Sequence, residues 1–334
     1  MIPARLESTV FGIYGTHALR LADRHGVFTH LSRHGPATAS AIAADLGLDA
    51  ETLERLMLLL KVLGLLEEAG GGRYGLPAAV TAFLVPDADR YLGGFVDHLV
   101  TDASRQLELL DEYLRRGKEV VDAGMPDAFT RIYRDGPSTE RFMAAMWQLS
   151  HHASGRLADL ADLGSVTRLI DVGGACGPFA IAALRRNPTL RATVFDLPEV
   201  EPFLKARRRE YGLEGRLAFR AGDFFRDPLP QGDCVAFGYI LSDWTDAACR
   251  ELVRSAFEAC VPGGRILVME RLFADDRSGP IGAAVMNLSM HVETQGRHRS
   301  AREYIELLES AGFAECEVRR TDGDKHLVMA RRPA

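Results

Sequence analysis

The sequence predicts an α/β protein: a Rossmann-like, mostly parallel sheet in the C-terminal part, preceded by a helical domain of winged-helix pattern. Three observations carry this reading. Residues 169–177, Leu-Ile-Asp-Val-Gly-Gly-Ala-Cys-Gly, run from an apolar strand through a glycine turn into the helical pattern of Phe179, Ile181, Ala182 and Leu184. Further short apolar runs follow, several of them stopping at an acidic or small residue. Upstream, three helical segments and a glycine-tipped hairpin succeed one another before residue 77.

Taken in order, residues 8–32 read as one helical stretch. A second helix spans Thr38 to Leu46 and stops at Gly47; a third, capped by Asp49, spans Ala50 to Leu63 and stops at Gly64. Leu65 to Ala69, Gly70–Gly72 and Arg73 to Leu76 form the hairpin. This pattern also occurs in DNA-binding regulators, whose recognition helix offers Arg, Lys, Asn or Gln to bases and phosphates. Here the third helix sets Glu51, Glu54, Arg55 and Lys61 around Leu53, Leu56, Met57, Leu59, Leu60 and Leu63, too apolar and too acidic for a groove. The net charge of −6 adds no general attraction to nucleic acid or anionic lipid, so neither partner is expected. Val10, Ile13 and Leu19 on the leading helix predict an interface with a second copy.

Residues 101–160 read as connecting helices, and the sheet domain fills 161–334. In its first turn Gly173, Ala175 and Gly177 fall on alternate positions behind Asp171. A dinucleotide turn needs Gly-x-Gly-x-x-Gly. The spacing found here instead matches the turn used for S-adenosylmethionine (SAM), which has no pyrophosphate to cradle and places the acid near the sulfonium amino acid. The second strand, Ala192 to Phe195, ends in Asp196, a carboxylate placed for a ribose diol. The third, Leu217 to Ala221, ends in Gly222-Asp223-Phe224, an acid and a ring that suit adenine. Strand four is Cys234 to Phe237, and Pro262-Gly-Gly264 turns into strand five, Ile266 to Met269, ending at Glu270.

A chain of 334 residues has room for two domains, and 47 % hydrophobic residues mark it as globular. No apolar run reaches the roughly 18 residues of a membrane span. Met-Ile-Pro-Ala-Arg-Leu-Glu lacks the apolar core of a secretion signal. Five cysteines without a C-x-x-C pair read as reduced residues of a cytoplasmic protein.

The chain resembles the plant-type, hydroxyindole O-methyltransferase-like family of SAM-dependent methyltransferases, in its bacterial small-molecule tailoring branch. The matching stretches are Asp171 to Gly177, Phe195-Asp-Leu-Pro198, Gly222-Asp-Phe224, Ile240 to Asp246 and Pro262-Gly-Gly264. The resemblance covers nearly the whole chain. It implies a class I SAM-dependent methyltransferase domain at 161–334 and connecting helices at 101–160 that line the substrate pocket. It also implies a winged-helix-like domain at 1–100 that forms a homodimer. The cofactor-binding set it implies is Asp171, Gly173, Gly174, Asp196, Leu197, Gly222, Asp223 and Phe224.

Three departures from the family pattern bear on chemistry. Where the family reads Leu-His-Asp-Trp, with the His taking a proton from a substrate hydroxyl, this chain reads Leu241-Ser242-Asp243-Trp244. A serine hydroxyl cannot accept a phenol proton near neutrality without another base. Gly238 stands where the family often carries a cation near the adenine. In Met290 to Ser300, His291 replaces an apolar residue and His298 replaces the Glu that orients the catalytic His. The catalytic set expected is therefore His291, Asp243 and Ser242. His291 is the favoured base, because neutral imidazole is abundant at pH 7, and Ser242 is expected to line the substrate pocket.

The expected function is SAM-dependent methylation, of oxygen by preference, of a small aromatic metabolite of the kind found in antibiotic biosynthesis. One alternative is C-methylation of an α-keto acid at a metal held by Asp243, His291 and His151 or His152. Ser242 is a poor stand-in for the first ligand of such a site, and no metal is expected. Another alternative is a SAM-dependent reaction that transfers no methyl group.

Overall fold

A computed structural model describes residues 2–123 and 125–334. The chain forms two compact units, one up to Ser104 and one from Arg105 onward. The first holds α1 (Ala4–Arg24), α2 (Val27–His34), α3 (Ala39–Leu46), α4 (Ala50–Val62) and the antiparallel pair β1 (Glu67–Glu68) and β2 (Tyr74–Gly75), followed by short helices. The single helix expected over 8–32 is two helices. Gly26, at φ +76°, takes the left-handed conformation that interrupts the hydrogen-bond ladder between α1 and α2. Asp49 caps α4 by accepting from the Thr52 amide at 2.8 Å. Leu53, Met57 and Leu60 recur at helical spacing and are buried with Phe28, Ile42 and Leu66. Leu19 packs against this core, whereas Val10 and Ile13 are exposed together with Phe11 and Tyr14.

The second unit is built on a seven-stranded sheet. Its strands are β3 (Arg168–Val172), β4 (Arg191–Asp196), β5 (Leu217–Ala221), β6 (Gly232–Gly238), β7 (Cys260–Glu270), β10 (Ala314–Arg319) and β11 (His326–Arg331), in the order β10-β11-β7-β6-β3-β4-β5. A separate parallel pair joins β8 (Leu272–Phe273) to β9 (Arg299–Ser300). Strands β3 to β7 are parallel; at one edge β11 runs antiparallel to β7 and β10 antiparallel to β11, and neither was anticipated from the sequence. Strand five also starts earlier than expected, at Cys260, so Pro262–Gly264 lies inside β7.

Alternation along the strands divides the core in two. Leu169, Val194, Ala236 and Leu267 face the helices Gly136–Ala161 and Pro178–Arg186. Ile170, Phe195, Phe237 and Val268 face the helices Asp246–Ala259 and Ala301–Ser310. With both faces covered, the carboxyl ends of β3, β4, β5 and β6 are the place where a ligand can approach. Among the described residues no helix is long and apolar enough to cross a membrane.

Candidate active site

A cavity of about 720 Å³ opens at the carboxyl ends of these strands. Its floor is the glycine turn after β3. A Cβ on Gly173 would lie 2.3 Å from Ile240 Cδ1, and one on Gly174 would lie 2.7 Å from Asp171 Cγ. The cradle therefore has no room for side chains, which leaves the bare backbone to a ligand. Asp171, almost fully buried, accepts from the Ala180 amide at 3.2 Å near the start of the next helix. Burial pushes its carboxyl up to about 7, against the pull of that hydrogen bond. Asp196 accepts from the Ala175 amide and from its neighbour Leu197, both at 2.8 Å, and burial pushes it up to about 6.

Asp171, Gly173, Gly174, Asp196, Leu197, Asp223 and Phe224 all line this one cavity. Gly222, expected among them, does not line it. A Cβ there would lie 2.4 Å from Phe195 Cζ, so the glycine makes room for a core ring behind the wall. Asp223 also serves its own turn, accepting from the Phe225 amide at 2.9 Å. The cradle and the two buried carboxylates suit SAM, and the volume lies in the range of small-molecule sites.

The strip after β6 is arranged differently from expectation. Ser242 is 1 % exposed, does not line the cavity, and donates its amide to Glu270 Oε1 at 3.1 Å. Asp243 does line the cavity. Burial holds its carboxyl well above the usual range, and the charges of Glu270 and Glu293 add to the effect. His291 lies outside the cavity. The helix Ile281–Glu293 turns its buried face through Ser289, Val292 and Glu293 and leaves His291 exposed, its ring edge-on to Tyr113 with the ring centroids 5.9 Å apart. The favoured base of the sequence reading therefore does not line this cavity.

His298 is buried between Arg271 and Asn287, with Nδ1 3.2 Å from the Arg271 carbonyl, and burial lowers it to about 4. It is a neutral packing residue. His151 stacks on Trp147 at 4.2 Å. Asp243 and the three histidines considered as metal ligands are not drawn together, and among the described residues no three ligating side chains gather.

Sequence reasoning missed three contributors. Phe129 stacks on Trp244 at 5.5 Å, Phe225 meets Trp244 edge-on at 4.7 Å, and Tyr133 and Phe142 complete an aromatic wall. Arg299 ties down the strip that carries Asp243. Lys325, which precedes β11, lines the cavity close to Tyr239. Only Arg299 had a local signal, the His-Arg-Ser run just before a helix.

Residues 8–86 match the family model of the O-methyltransferase dimerisation domain, and residues 108–314 match that of the O-methyltransferase domain. The chain belongs to the O-methyltransferase family. It is a SAM-dependent methyltransferase with a class I α/β domain and an N-terminal dimerisation domain. Its relatives include 3-hydroxy-5-methyl-1-naphthoate 3-O-methyltransferase of Streptomyces sahachiroi, 34% identical over 95% of this chain and 91% of that one. Human N-acetylserotonin methyltransferase in complex with SAM superposes with a TM-score of 0.89 at 30% identity, covering 98% of this chain and 97% of that one. The mitomycin 7-O-methyltransferase MmcR gives a TM-score of 0.83 at 26% identity, covering 98% and 97%.

Proposed function

We propose that this methyltransferase methylates a hydroxyl oxygen on a small, planar aromatic metabolite. The observation that carries the reading is the aromatic wall of Phe129, Phe225 and Trp244, which shares one cavity with the Asp171–Asp196 floor. A flat ring slots against such a wall by stacking and edge contacts. The indole Nε1–H of Trp244 is buried without a protein partner among the described residues, and it offers a donor to an acceptor oxygen. The names of two relatives support the class of acceptor, a hydroxynaphthoate and N-acetylserotonin. The mitomycin enzyme supports a place in antibiotic-type metabolism.

When bound, SAM supplies an electrophilic methyl group on a sulfonium. Asp196 would hold its ribose hydroxyls, Asp223 and Phe224 its adenine, and the Gly173–Gly174 backbone with Leu197 would close around it. Phe129 and Trp244 orient the acceptor ring, so that the entropy of alignment is met on binding. Asp243, the carboxyl of this strip that lines the cavity, takes the proton in its ionised form. Ser242 supports the strip from behind through Glu270.

The working form in this reading is a cytoplasmic homodimer. The exposed row Val10, Phe11, Ile13 and Tyr14 on α1 lies within the matched dimerisation domain and would be covered by a second copy. Five free cysteines, four of them buried, suit a reducing compartment.

The test is product mass. The enzyme, SAM and a panel of hydroxylated bicyclic aromatics should give a product heavier by one CH₂ and an equal amount of S-adenosylhomocysteine. A product that gains oxygen, or rearranges without a gain, would replace the methyl-transfer reading.

A further inference from the structure

Lys325 sits in the turn before β11. That strand runs antiparallel to β7, so the turn lies at the same end of the sheet as the carboxyl ends of β3 and β6. The side chain is 3 % exposed and lines the cavity. Its Nζ lies 3.4 Å from Ser150 Oγ and 3.3 Å from the centroid of the Tyr239 ring. Among the described residues no ion pair joins it to a carboxylate. An ammonium has three donors, and one long hydrogen bond and a ring face leave that capacity partly unmet. Burying such a group with no carboxylate in ion-pair contact is costly, and an apolar side chain of the same length would avoid the cost. Burial accordingly lowers its pKa, to about 7, against the pull of Glu270.

Asp171 presents the opposite case in the same cavity. It is a buried carboxylate held to one backbone amide, and Lys325 acts on it through space without pairing with it. An unpaired cation and an unpaired anion lining one cavity match a zwitterion. The amino-acid end of SAM carries a carboxylate and an ammonium on one carbon. We propose that Lys325 anchors the carboxylate of the SAM amino acid, while Asp171 takes its ammonium. Lys325 is thus a binding residue supplied by the C-terminal edge of the sheet. This rests on SAM occupying the cavity.

Calorimetry with two probes tests it. S-adenosylhomocysteine carries the amino-acid end; 5′-methylthioadenosine has the same nucleoside and sulfur without it. The wild type should prefer S-adenosylhomocysteine. Lys325→Met should weaken that ligand by about tenfold or more and leave 5′-methylthioadenosine unchanged, and Lys325→Arg should restore part of the preference. Unchanged binding of 5′-methylthioadenosine also reports that the adenosine pocket is intact. Equal S-adenosylhomocysteine affinity in wild type and Lys325→Met would overturn the assignment. If that variant instead loses a preference for a carboxylated acceptor over its neutral amide, the anchored carboxylate belongs to the acceptor, and the cofactor assignment is again overturned. A parallel loss of both probes would also overturn it, since an anchor acts on one alone. A wild type that binds neither probe is a failure of the SAM reading itself.

Discussion

Arg299 holds Asp246 through two nitrogens, Nε at 3.0 Å and Nη2 at 2.6 Å from the same carboxylate oxygen. The same guanidinium donates to the carbonyls of Leu241 at 2.7 Å and Trp244 at 3.1 Å. It therefore clasps both ends of the strip that carries Asp243 and Trp244 into the cavity. Arg299 is almost fully buried, and the planar fork that satisfies these acceptors has no equivalent in a lysine. Arg299→Lys should cost about 2–4 kcal/mol of stability and lower kcat through the displaced strip. Urea denaturation with steady-state kinetics measures both; a variant with native values for each would show that the clasp does not position the strip.

Asp243→Asn should lower kcat by about 10²–10⁴-fold, the usual weight of a general base. His291→Ala should stay within about tenfold, because its exposed ring lies outside the cavity. Ser242→Ala should likewise stay within about tenfold in rate. Single-turnover rates with a fixed acceptor rank the three variants, and a larger loss in His291→Ala than in Asp243→Asn would return the base to the histidine.

Cofactor binding should tighten as pH rises toward neutrality. Burial holds Asp171 at about 7 and Asp196 at about 6, well above an ordinary carboxylate. Between about pH 4 and 7 the folded protein without cofactor therefore carries more protons than the unfolded chain, and its stability falls as pH rises through that window. A ligand with a sulfonium and an ammonium favours the ionised carboxylates and offsets that loss. Lys325, lowered to about 7, loses its charge above neutrality and would oppose the trend there, so the thermal shift produced by SAM should be larger at about pH 6.5 than at about pH 5. A shift independent of pH would mean that these carboxylates do not meet the cofactor. Asp196→Ala should cost about 1.5–3 kcal/mol of SAM affinity by calorimetry.

Ile13, 62 % exposed on α1, should sit inside the interface between two copies. Ile13→Asp places a charge there, which an apolar interface tolerates poorly. Light scattering should give a dimer for the wild type and a monomer for the variant at micromolar concentration. A wild-type monomer would leave the apolar row on α1 without its proposed cover.

The cavity floor was legible because its determinants are local. Asp171, Gly173 and Gly174 belong to one strand–turn–helix unit, and Asp196, Leu197, Asp223 and Phe224 each follow a short apolar strand whose carboxyl end faces the ligand side of any open α/β sheet. Gly222 was placed one step too far, because a glycine beside a ligand and a glycine beside a core ring read alike until Phe195 is seen against it.

That His291 stands outside the cavity was not legible for a related reason. A histidine in a helical run shows the period of the helix, but which face meets the cavity depends on what the helix packs against.

Periodicity, caps, glycine positions and strand-end carboxylates thus determined the two-part α/β architecture and the floor of the cavity from sequence alone, since each of these is set by neighbours along the chain. The tertiary structure alone decided that Asp243 and not Ser242 or His291 reaches the cavity. It also decided that Phe129 would meet Trp244, that Arg299 would clasp Leu241 and Asp246, and that Lys325 would come to lie near Asp171. Those groups are far apart in the chain, and the register and packing of the folded sheet and its helices, rather than any local propensity, bring them within reach of one another.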